Sequence, residues 1–258
     1  MLPAVPSRYS VLDVSVSALS LPLAAELVVA RARQRPAGYV CVTGVHGVMA
    51  AQDDPALRTI LNHAFLNTPD GMPLVWLGRW HGHRQVTRVY GPDLMLAVCD
   101  AGRAAGLTHY FNGGVPGVAE ELRARLAARF PGLQVVGAST PPFRPLTAAE
   151  ATALQDEVAR TRPDVLWVGL STPKQERFMA AHAATLDVGL LVGVGAAFDF
   201  HTGRVRQAPR WLQRSGGEWL YRLAREPRRL GPRYLKNNPR FIWRLLLQAV
   251  GLRRYPRE

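Results

Sequence analysis

The stretch Asp164-Val-Leu-Trp-Val-Gly-Leu170, followed by Pro173, decides the fold of this chain. Its apolar residues run almost without alternation, which is typical of a strand buried on both faces of a parallel sheet. Pro173 predicts the start of a helix, because proline fits the first helical turn. The same succession recurs, with strands at 39–45, 109–111, 133–138 and 188–194, and helices from 53, over 92–105, after 117 and from 147. The sequence therefore predicts an α/β fold with helices on both faces of a parallel sheet.

The composition is that of a globular protein with a large core. The chain has 258 residues, and 48% of them are hydrophobic. Its two cysteines, Cys41 and Cys99, exclude a disulfide framework and suit a reducing compartment. The chain has no basic start followed by an apolar run and a small-residue cleavage site, so we expect no secretion. The longest nearly apolar run, 188–198, is too short to span a bilayer.

The positive charge is concentrated at the C-terminal end. The net charge is +13, and residues 201–258 hold 15 of the 32 Lys and Arg but only three of the 19 Asp and Glu. We therefore divide the chain into a core domain, 1–200, and a basic segment, 201–258. Codon bias explains why arginine replaces lysine, but it does not explain where the charge lies. Arginine binds phosphate through two parallel hydrogen bonds, so the segment indicates a phosphate-bearing partner.

Ligands of an open parallel sheet bind beyond the carboxyl ends of its strands. The candidate site residues are therefore those that follow predicted strands, namely Thr43, His46, Asn112, Gly113, Gly114, Ser171, Thr172, Lys174, Gln175, Glu176 and 195–199.

Several candidates have a second interpretation. Gly113 and Gly114 could permit a tight turn or present bare amides to a phosphate. Asp199 is either a helix cap or a ligand-binding group. Asp70 lies in Asn67-Thr-Pro-Asp-Gly-Met-Pro73, which predicts a turn after a helix, and on spacing alone a turn-forming aspartate is the favoured explanation.

Several common site patterns are absent from the sequence. The glycines after the predicted strands do not match G-x-G-x-x-G, which argues against a nicotinamide enzyme. The chain has no Walker lysine motif and no G-x-S-x-G turn. Its seven histidines show no metal-ligand spacing, so we expect no metal and no cofactor.

A series of motifs resembles the WecG/TagA/CpsF family of bacterial glycosyltransferases, from about Val40 to Phe241. The motifs, in order, are Val42-Thr43, Thr68-Pro-Asp-Gly-Met-Pro73, Arg88-Val-Tyr-Gly-Pro-Asp-Leu-Met95, Phe111-Asn-Gly-Gly-Val-Pro-Gly-Val-Ala-Glu120, Val168-Gly-Leu-Ser-Thr-Pro-Lys-Gln-Glu176, Val192-Gly-Val-Gly-Ala-Ala-Phe-Asp-Phe-His-Thr-Gly203, Arg206-Gln-Ala-Pro-Arg-Trp-Leu212 and Glu218-Trp-Leu-Tyr-Arg-Leu-Ala-Arg-Glu-Pro-Arg-Arg229.

The resemblance implies a Rossmann-like core with a basic helical C-terminal appendage that completes the active site. It implies an inverting, metal-independent transfer from a UDP-sugar to a sugar carried on undecaprenyl diphosphate, in cell-surface polysaccharide or teichoic acid synthesis. The transferred sugar would be N-acetylmannosamine, glucose or a uronic acid.

The resemblance also implies roles for individual residues. Asp70 would be the base that takes the proton of the acceptor hydroxyl, and Thr43 and Gln175 would lie near the reacting centre. Arginines of the appendage would offset the charge of the leaving diphosphate. The full set of expected substrate-binding residues is His46, Asn112, Gly113, Gly114, Lys174, Asp199, Arg222, Arg225 and Arg229.

Two positions depart from the family pattern. His46 stands where family members usually have asparagine, which puts the identity of the donor sugar in doubt. Ser171 stands where glycine is usual, and this is tolerable unless the backbone there needs a positive φ.

The C-terminal stretch Pro239–Leu252 predicts an amphipathic helix, with Arg253, Arg254 and Arg257 at its end. It could pack on the core with a solvated basic face, close against another subunit, or bind the inner face of the cell membrane. Peripheral attachment to that cytoplasmic face is favoured, because the expected acceptor is bilayer-bound. Two rival functions are a nucleic-acid-binding protein, which has no supporting motif here, and another nucleotide-dependent enzyme.

Overall fold

The structure is a computed structural model that describes residues 4–142, 144–253 and 255. Its strands are β1 (Arg8–Val11), β2 (Val14–Ser17), β3 (Tyr39–Thr43), β4 (Leu66–Pro69), β5 (Thr108–Gly113), β6 (Gln134–Ser139), β7 (Val165–Gly169) and β8 (Leu190–Gly193). Its helices are α1 (Leu21–Gln34), α2 (Val45–Asp53), α3 (Pro55–His63), α4 (Met72–Trp80), α5 (Gly91–Ala104), α6 (Val118–Arg129), α7 (Ala148–Thr161), α8 (Lys174–His182), α9 (Ala197–His201), α10 (Arg210–Arg214), α11 (Glu218–Arg225) and α12 (Pro227–Ala249).

Six parallel strands form one sheet in the order β4-β3-β8-β7-β5-β6. The predicted α/β fold with a parallel sheet is confirmed. The expected apolar strand 164–170 is β7, at the centre of the sheet, where Val165 to Val168 are all buried. Because the strands are parallel, all their carboxyl ends meet at one edge, and the candidate residues lie along that edge.

Two apolar cores cover the two faces of the sheet. Helices α1, α5 and α6 pack on one face, around Phe111 and Trp167. The other face is covered by the antiparallel hairpin β1–β2 and by α2, α3 and α8, around Met49 and Leu166. Phe241 of α12 is buried in this second core, so the C-terminal helices are anchored to the core domain.

Asp70 follows a strand, so the expectation that it lies in a turn after a helix is wrong. Helix α3 ends at His63, and β4 lies between that helix and Asp70. The apolar pattern of the sequence does not reveal β4, because Leu66 is the only large apolar residue of this strand. Its buried Asn67 bonds the hairpin β1–β2 twice: the backbone N–H donates to the hydroxyl of Ser17, and the side-chain amide donates to the carbonyl of Ser15. Polar contacts therefore replace the apolar pattern that marks the other strands.

Helix α12 begins twelve residues before the expected start at Pro239 and contains both Pro232 and Pro239. A proline inside a helix removes one backbone hydrogen bond. The helix is fixed to the core by the buried Phe241 and by Arg240, which bonds both carboxylate oxygens of Asp53 in α2 at 2.9 and 2.6 Å. Within the described residues, no helix is both long and apolar enough to cross a bilayer. The division of the chain at residue 200 stays a prediction.

Candidate active site

A cavity of about 320 Å³ opens beyond the carboxyl ends of β3 and β4. The turns after these strands form its floor, and α11 and α12 form its roof. Its polar lining residues are His46, Asp70, Arg88, Tyr90, Thr172, Gln213, Glu218, Arg222, Arg233, Tyr234, Asn237 and Asn238. Residues from the core domain and from the basic segment therefore meet around one space.

Asp70 is fixed by the close approach of the two strand ends. Its backbone N–H donates to the carbonyl of Thr43 over 2.8 Å. A side chain at Gly44 would bring a Cβ within 2.8 Å of the Asp70 carbonyl, so only glycine allows this approach. Gly71 follows with a φ of +105°, which turns the chain into α4. The backbone thus holds the Asp70 carboxylate at the cavity, where Arg88 meets it.

Arg88 lies at the centre of the polar lining. Its Nε and Nη2 both donate to Oδ1 of Asp70, over 3.3 and 3.2 Å. The same Nη2 forms an ion pair of 2.6 Å with Glu218, and Nη1 donates to Gln213 over 3.4 Å. The guanidinium also stacks on the ring of Tyr90, 4.1 Å from its centroid. Arg88 therefore joins the core domain to α10 and α11 at this cavity.

Glu218 begins α11 and is largely buried against Arg88. Burial raises the pKa of this carboxyl; the neighbouring Arg88 lowers it, and Asp70 raises it further. The start of a helix favours a negative charge, which suits a carboxylate at this position. The pKa of the Tyr90 hydroxyl is also raised, mainly by burial, so it stays a neutral donor.

Two arginines of the roof have buried nitrogens without a partner. The Nε atoms of Arg222 and Arg233 make no hydrogen bond within the described part of the chain. Burial lowers the pKa of Arg233, and its positive neighbour Arg222 lowers it further. Three arginines face two carboxylates in this lining, so the cavity carries excess positive charge. An anion in the cavity would satisfy both the charge and the free N–H donors.

His46 lies at the start of α2, on the cavity wall. Its Nδ1 accepts a 3.1 Å hydrogen bond from the amide of Asn237, and its ring also bonds the backbone of Thr172. Burial, and then the charge of Arg233, lower the pKa of His46 to about 4. The imidazole is therefore neutral near pH 7 and joins α12 to the core.

Thr43, the last residue of β3, and Gln175, in the first turn of α8, are both buried and lie outside the cavity lining. The hydroxyl of Thr43 has no hydrogen-bond partner among the described residues. The amide oxygen of Gln175 accepts from the backbone of Gly195 over 3.0 Å, and its nitrogen donates to Glu176 over 3.1 Å. Gln175 thus ties the ends of β7 and β8 together, while Lys174 is exposed at the start of α8.

Asn112, Gly113 and Gly114 lie at a different point of the same edge. There β5 continues through α6 to one side of the sheet, and its neighbour β7 continues through α8 to the other. Such a switch point is where open parallel sheets bind nucleotides. Gly113 is in tight contact with Gly169, where a Cβ would lie 2.6 Å from that residue's backbone. The glycines therefore serve close packing, and whether they also bind phosphate stays a prediction.

The structure keeps Asp199, Arg225 and Arg229 outside the cavity lining. Asp199 lies inside α9 and makes no capping hydrogen bond, so the helix-cap interpretation is wrong. Burial raises its pKa, and Arg229 and Arg204 oppose that shift. Arg225 lines a separate open cleft together with Arg129, Arg206 and Arg210, and Arg229 pairs with Glu226. Of the three arginines expected at the diphosphate, the cavity contains Arg222.

The sequence analysis assigned no role to Arg88, Glu218, Arg233 or Asn237. Arg88 and Glu218 begin two of the quoted motifs, but their contact joins distant parts of the chain. Arg233 and Asn237 were detectable, since they share one helical stripe with the buried Leu230 and Phe241. Polar residues on the buried stripe of an amphipathic helix indicate a polar partner.

No metal site is evident in residues 4–142, 144–253 and 255, where no three His, Cys, Asp or Glu side chains cluster suitably.

The comparisons with known proteins agree with the motifs. A sequence model described as the glycosyl transferase WecG/TagA/CpsF family matches residues 9–255. An N-acetylglucosaminyldiphosphoundecaprenol N-acetyl-beta-D-mannosaminyltransferase of Bacillus spizizenii is 28% identical over 196 residues, which are 76% of this chain and 74% of that protein. The family match spans the sheet and the C-terminal helices, including every residue of the cavity lining.

Proposed function

Because the chain belongs to the WecG/TagA/CpsF family of glycosyl transferases, we propose that it transfers N-acetylmannosamine from a UDP-sugar to N-acetylglucosaminyl diphosphoundecaprenol. The acceptor and the transferred sugar follow the name of the relative from Bacillus spizizenii. Such a transfer is a step in cell-surface polysaccharide or teichoic acid synthesis. The observation that carries the proposal is the cavity in which Asp70 lies among arginines with free donors.

The geometry supports a single displacement with inversion. The acceptor hydroxyl attacks the anomeric carbon of the donor, and the bond from that carbon to UDP breaks. Asp70 takes the hydroxyl proton, since Arg88 bonds its Oδ1 while Oδ2 has no hydrogen-bond partner among the described residues. Arg222 and Arg233 offset the charge that develops on the departing diphosphate, in the place where other transferases use a metal.

The positions of the remaining expected substrate-binding residues also support the proposal. The uridine part of the donor fits the switch point at Asn112 to Gly114, in line with nucleotide binding by open parallel sheets. The Nδ2 atom of Asn112 is buried and has no partner within the described part of the chain. In strand order, His46, Thr43 and Gln175 lie between this point and Asp70, where the diphosphate and then the sugar of the donor would follow the uridine.

We further propose attachment to the cytoplasmic face of the membrane, where a lipid-linked acceptor resides. The outer face of α12 exposes Trp243 and Leu246, which are 62% and 53% accessible. Tryptophan and leucine beside arginines are typical of helices that lie in the membrane interface. The basic charge of this segment adds attraction to anionic lipid.

The test is UDP release from UDP-N-acetylmannosamine, UDP-glucose and a UDP-uronic acid, each with and without the lipid-linked N-acetylglucosamine acceptor. We expect acceptor-dependent release from UDP-N-acetylmannosamine, with a rate that EDTA does not change. Release from a different donor would correct the sugar. No release from any donor by a folded protein would reject the transfer and favour another nucleotide chemistry.

A further inference from the structure

Glu218 lies against the reacting groups, although it belongs to the basic segment. It is the carboxylate that the segment brings to the cavity lining, at the first residue of α11. Its side chain is 12% exposed, and the side chain of Arg88, its partner, is 15% exposed. A carboxylate so close to the proposed diphosphate site repels the leaving group. Its position therefore needs a reason other than binding the donor.

The reason lies in how Arg88 meets Asp70. An arginine and a carboxylate usually form a fork, in which two nitrogens bond two oxygens. Here Nε and Nη2 of Arg88 both converge on Oδ1 of Asp70. The same Nη2 lies closer to Glu218, at 2.6 Å, than to Asp70, at 3.2 Å. A fork with Asp70 would require Arg88 to leave the closer contact with Glu218.

Other contacts hold Arg88 in this shared position. The ring of Tyr90 supports one face of the guanidinium, and Gln213 accepts from Nη1. Only Nε and Nη2 are then available to bond Asp70 and Glu218, and the contact with Glu218 determines which of them reach Asp70.

We infer that Glu218 is a positioning residue, which holds Arg88 away from Oδ2 of Asp70 and so leaves that oxygen able to accept the proton. The inference rests on the proposed role of Asp70 as the base. It assigns the basic segment a second task besides binding diphosphate, because docking of α11 sets the geometry of a residue in the core domain. Without Glu218, Arg88 closes as a fork on Asp70 and occupies the lone pairs that catalysis uses.

Glu218→Gln tests the inference because it removes the charge and keeps the size. We expect kcat for acceptor-dependent UDP release to fall by about tenfold or more, with the KM for the donor changed by less than about threefold. Glu218→Asp keeps the charge and should recover part of the lost kcat. The matched control is Glu157→Gln, which removes a glutamate paired with Arg160 on the surface of α7 and should keep both constants.

A crystal structure of the Glu218→Gln variant gives a readout that does not depend on activity. We expect Arg88 to bond both Oδ1 and Oδ2 of Asp70 in it. An unchanged Arg88, or a wild-type kcat, would overturn the inference. A lower kcat accompanied by lost UDP binding or a much lower Tm would also overturn it, since Glu218 would then only hold α11 in place.

Asp70→Asn separates this inference from the proposed function. If Asp70→Asn is inactive while Glu218→Gln is fully active, only the inference fails. If Asp70→Asn is active, the proposed base fails, and the role inferred for Glu218 fails with it.

Discussion

The two faces of the C-terminal helices α11 and α12 have similar compositions and different surroundings. The inward face combines Arg222 and Arg233 with the buried Phe241, and it closes the cavity over Asp70. The outward face combines Arg225 with the exposed Trp243 and Leu246. Both faces consist of arginines and large apolar side chains, so the distribution of charge along the sequence does not distinguish them.

Burial gives the same side chain two different tasks. Water satisfies an exposed arginine, so Arg225 gains little by binding a further anion. The Nε atoms of Arg222 and Arg233 have no hydrogen-bond partner among the described residues, and the charge of Arg222 adds to burial in lowering the pKa of Arg233. A bound diphosphate relieves both costs. An arginine-rich segment can therefore bind a diphosphate tightly where the fold buries its arginines without other partners, and only weakly where water already solvates them.

The largest effect is expected from Asp70→Asn, which removes the base and leaves the inward arginines intact. Turnover should fall by about 10²–10⁴-fold, the usual contribution of a general base. UDP affinity, measured by calorimetry, should stay close to that of the wild type. Appreciable turnover in this variant would show that the inward face serves a reaction centred elsewhere.

The comparison itself is tested by two matched double variants. Arg222→Gln with Arg233→Gln should weaken UDP binding by about tenfold to a hundredfold, since each lost charged hydrogen bond is worth about 1.5–3 kcal/mol and part of that is recovered by water. Arg225→Gln with Arg229→Gln removes the same charge from outside the cavity and should weaken binding by less than about threefold. Equal losses of UDP affinity in the two variants would contradict the proposed difference between the inward and outward faces.

The outward face is tested by Trp243→Ser with Leu246→Ser. We expect about a tenfold loss of binding to anionic liposomes, which corresponds to about 1.4 kcal/mol. This is less than the roughly 1.5–3 kcal/mol that full burial of each side chain contributes, because a helix in the membrane interface buries them only in part. Trp80→Ser is the control, because Trp80 is 74% exposed but lies on α4 of the core domain. A loss of the same size in the control would mean that membrane binding is spread over the whole surface.

The contact between the inward face and the core should be sensitive to acid. His46 and His109 both have a pKa lowered to about 4, chiefly by burial. Between pH 6.5 and 4 the unfolded chain binds more protons than the folded one, so stability rises with pH and is lost as pH falls through this window. Each histidine contributes at most about 1.4 kcal/mol per pH unit.

His46→Asn should remove the contribution of one proton from the slope of the free energy of unfolding against pH, and it keeps a polar partner for Asn237. The measurement is urea unfolding at several pH values between 4 and 7. A slope identical to that of the wild type would mean that His46 is charged in the folded protein.

The smallest effect is expected at Ser171, in the turn that leads to the cavity residue Thr172. Ser171 has a φ of +63°, so the backbone at this position does favour the glycine that the family pattern leads one to expect. Ser171→Gly should raise the free energy of unfolding by about 0.5–1 kcal/mol. The left-handed conformation costs serine about 1–2 kcal/mol, and the larger backbone entropy that glycine loses on folding cancels about 0.5–1 kcal/mol of that gain. The side chain is exposed, so no contact is lost. A destabilised variant would assign the hydroxyl a role in the site.

The sequence predicted the parts of the fold that apolar burial dictates. Strand β7 and its neighbours show unbroken apolar runs, whereas β4 is held by polar bonds to the hairpin and was missed. The expected C-terminal helix began too late, at Pro239, because the packing of α12 on the core outweighs the preference of its internal prolines against a helix.

The site was predictable where the residues follow strands or match motifs. Thr43, His46 and Asp70 meet those conditions, and the structure places them at or just beyond the carboxyl ends of β3 and β4. Arg88 and Glu218 did not, because their importance comes from a contact between distant segments. Nor could the sequence show which arginines turn inward, since Glu226 interrupts the helix between Arg222 and Arg229.

A crystal structure of the protein with UDP bound tests the central claim most directly. The account predicts that the diphosphate lies in the cavity and bonds the Nε atoms of Arg222 and Arg233. A diphosphate held instead in the open cleft of Arg206, Arg210 and Arg225 would contradict it, because the outward arginines would then be the ones that bind the donor.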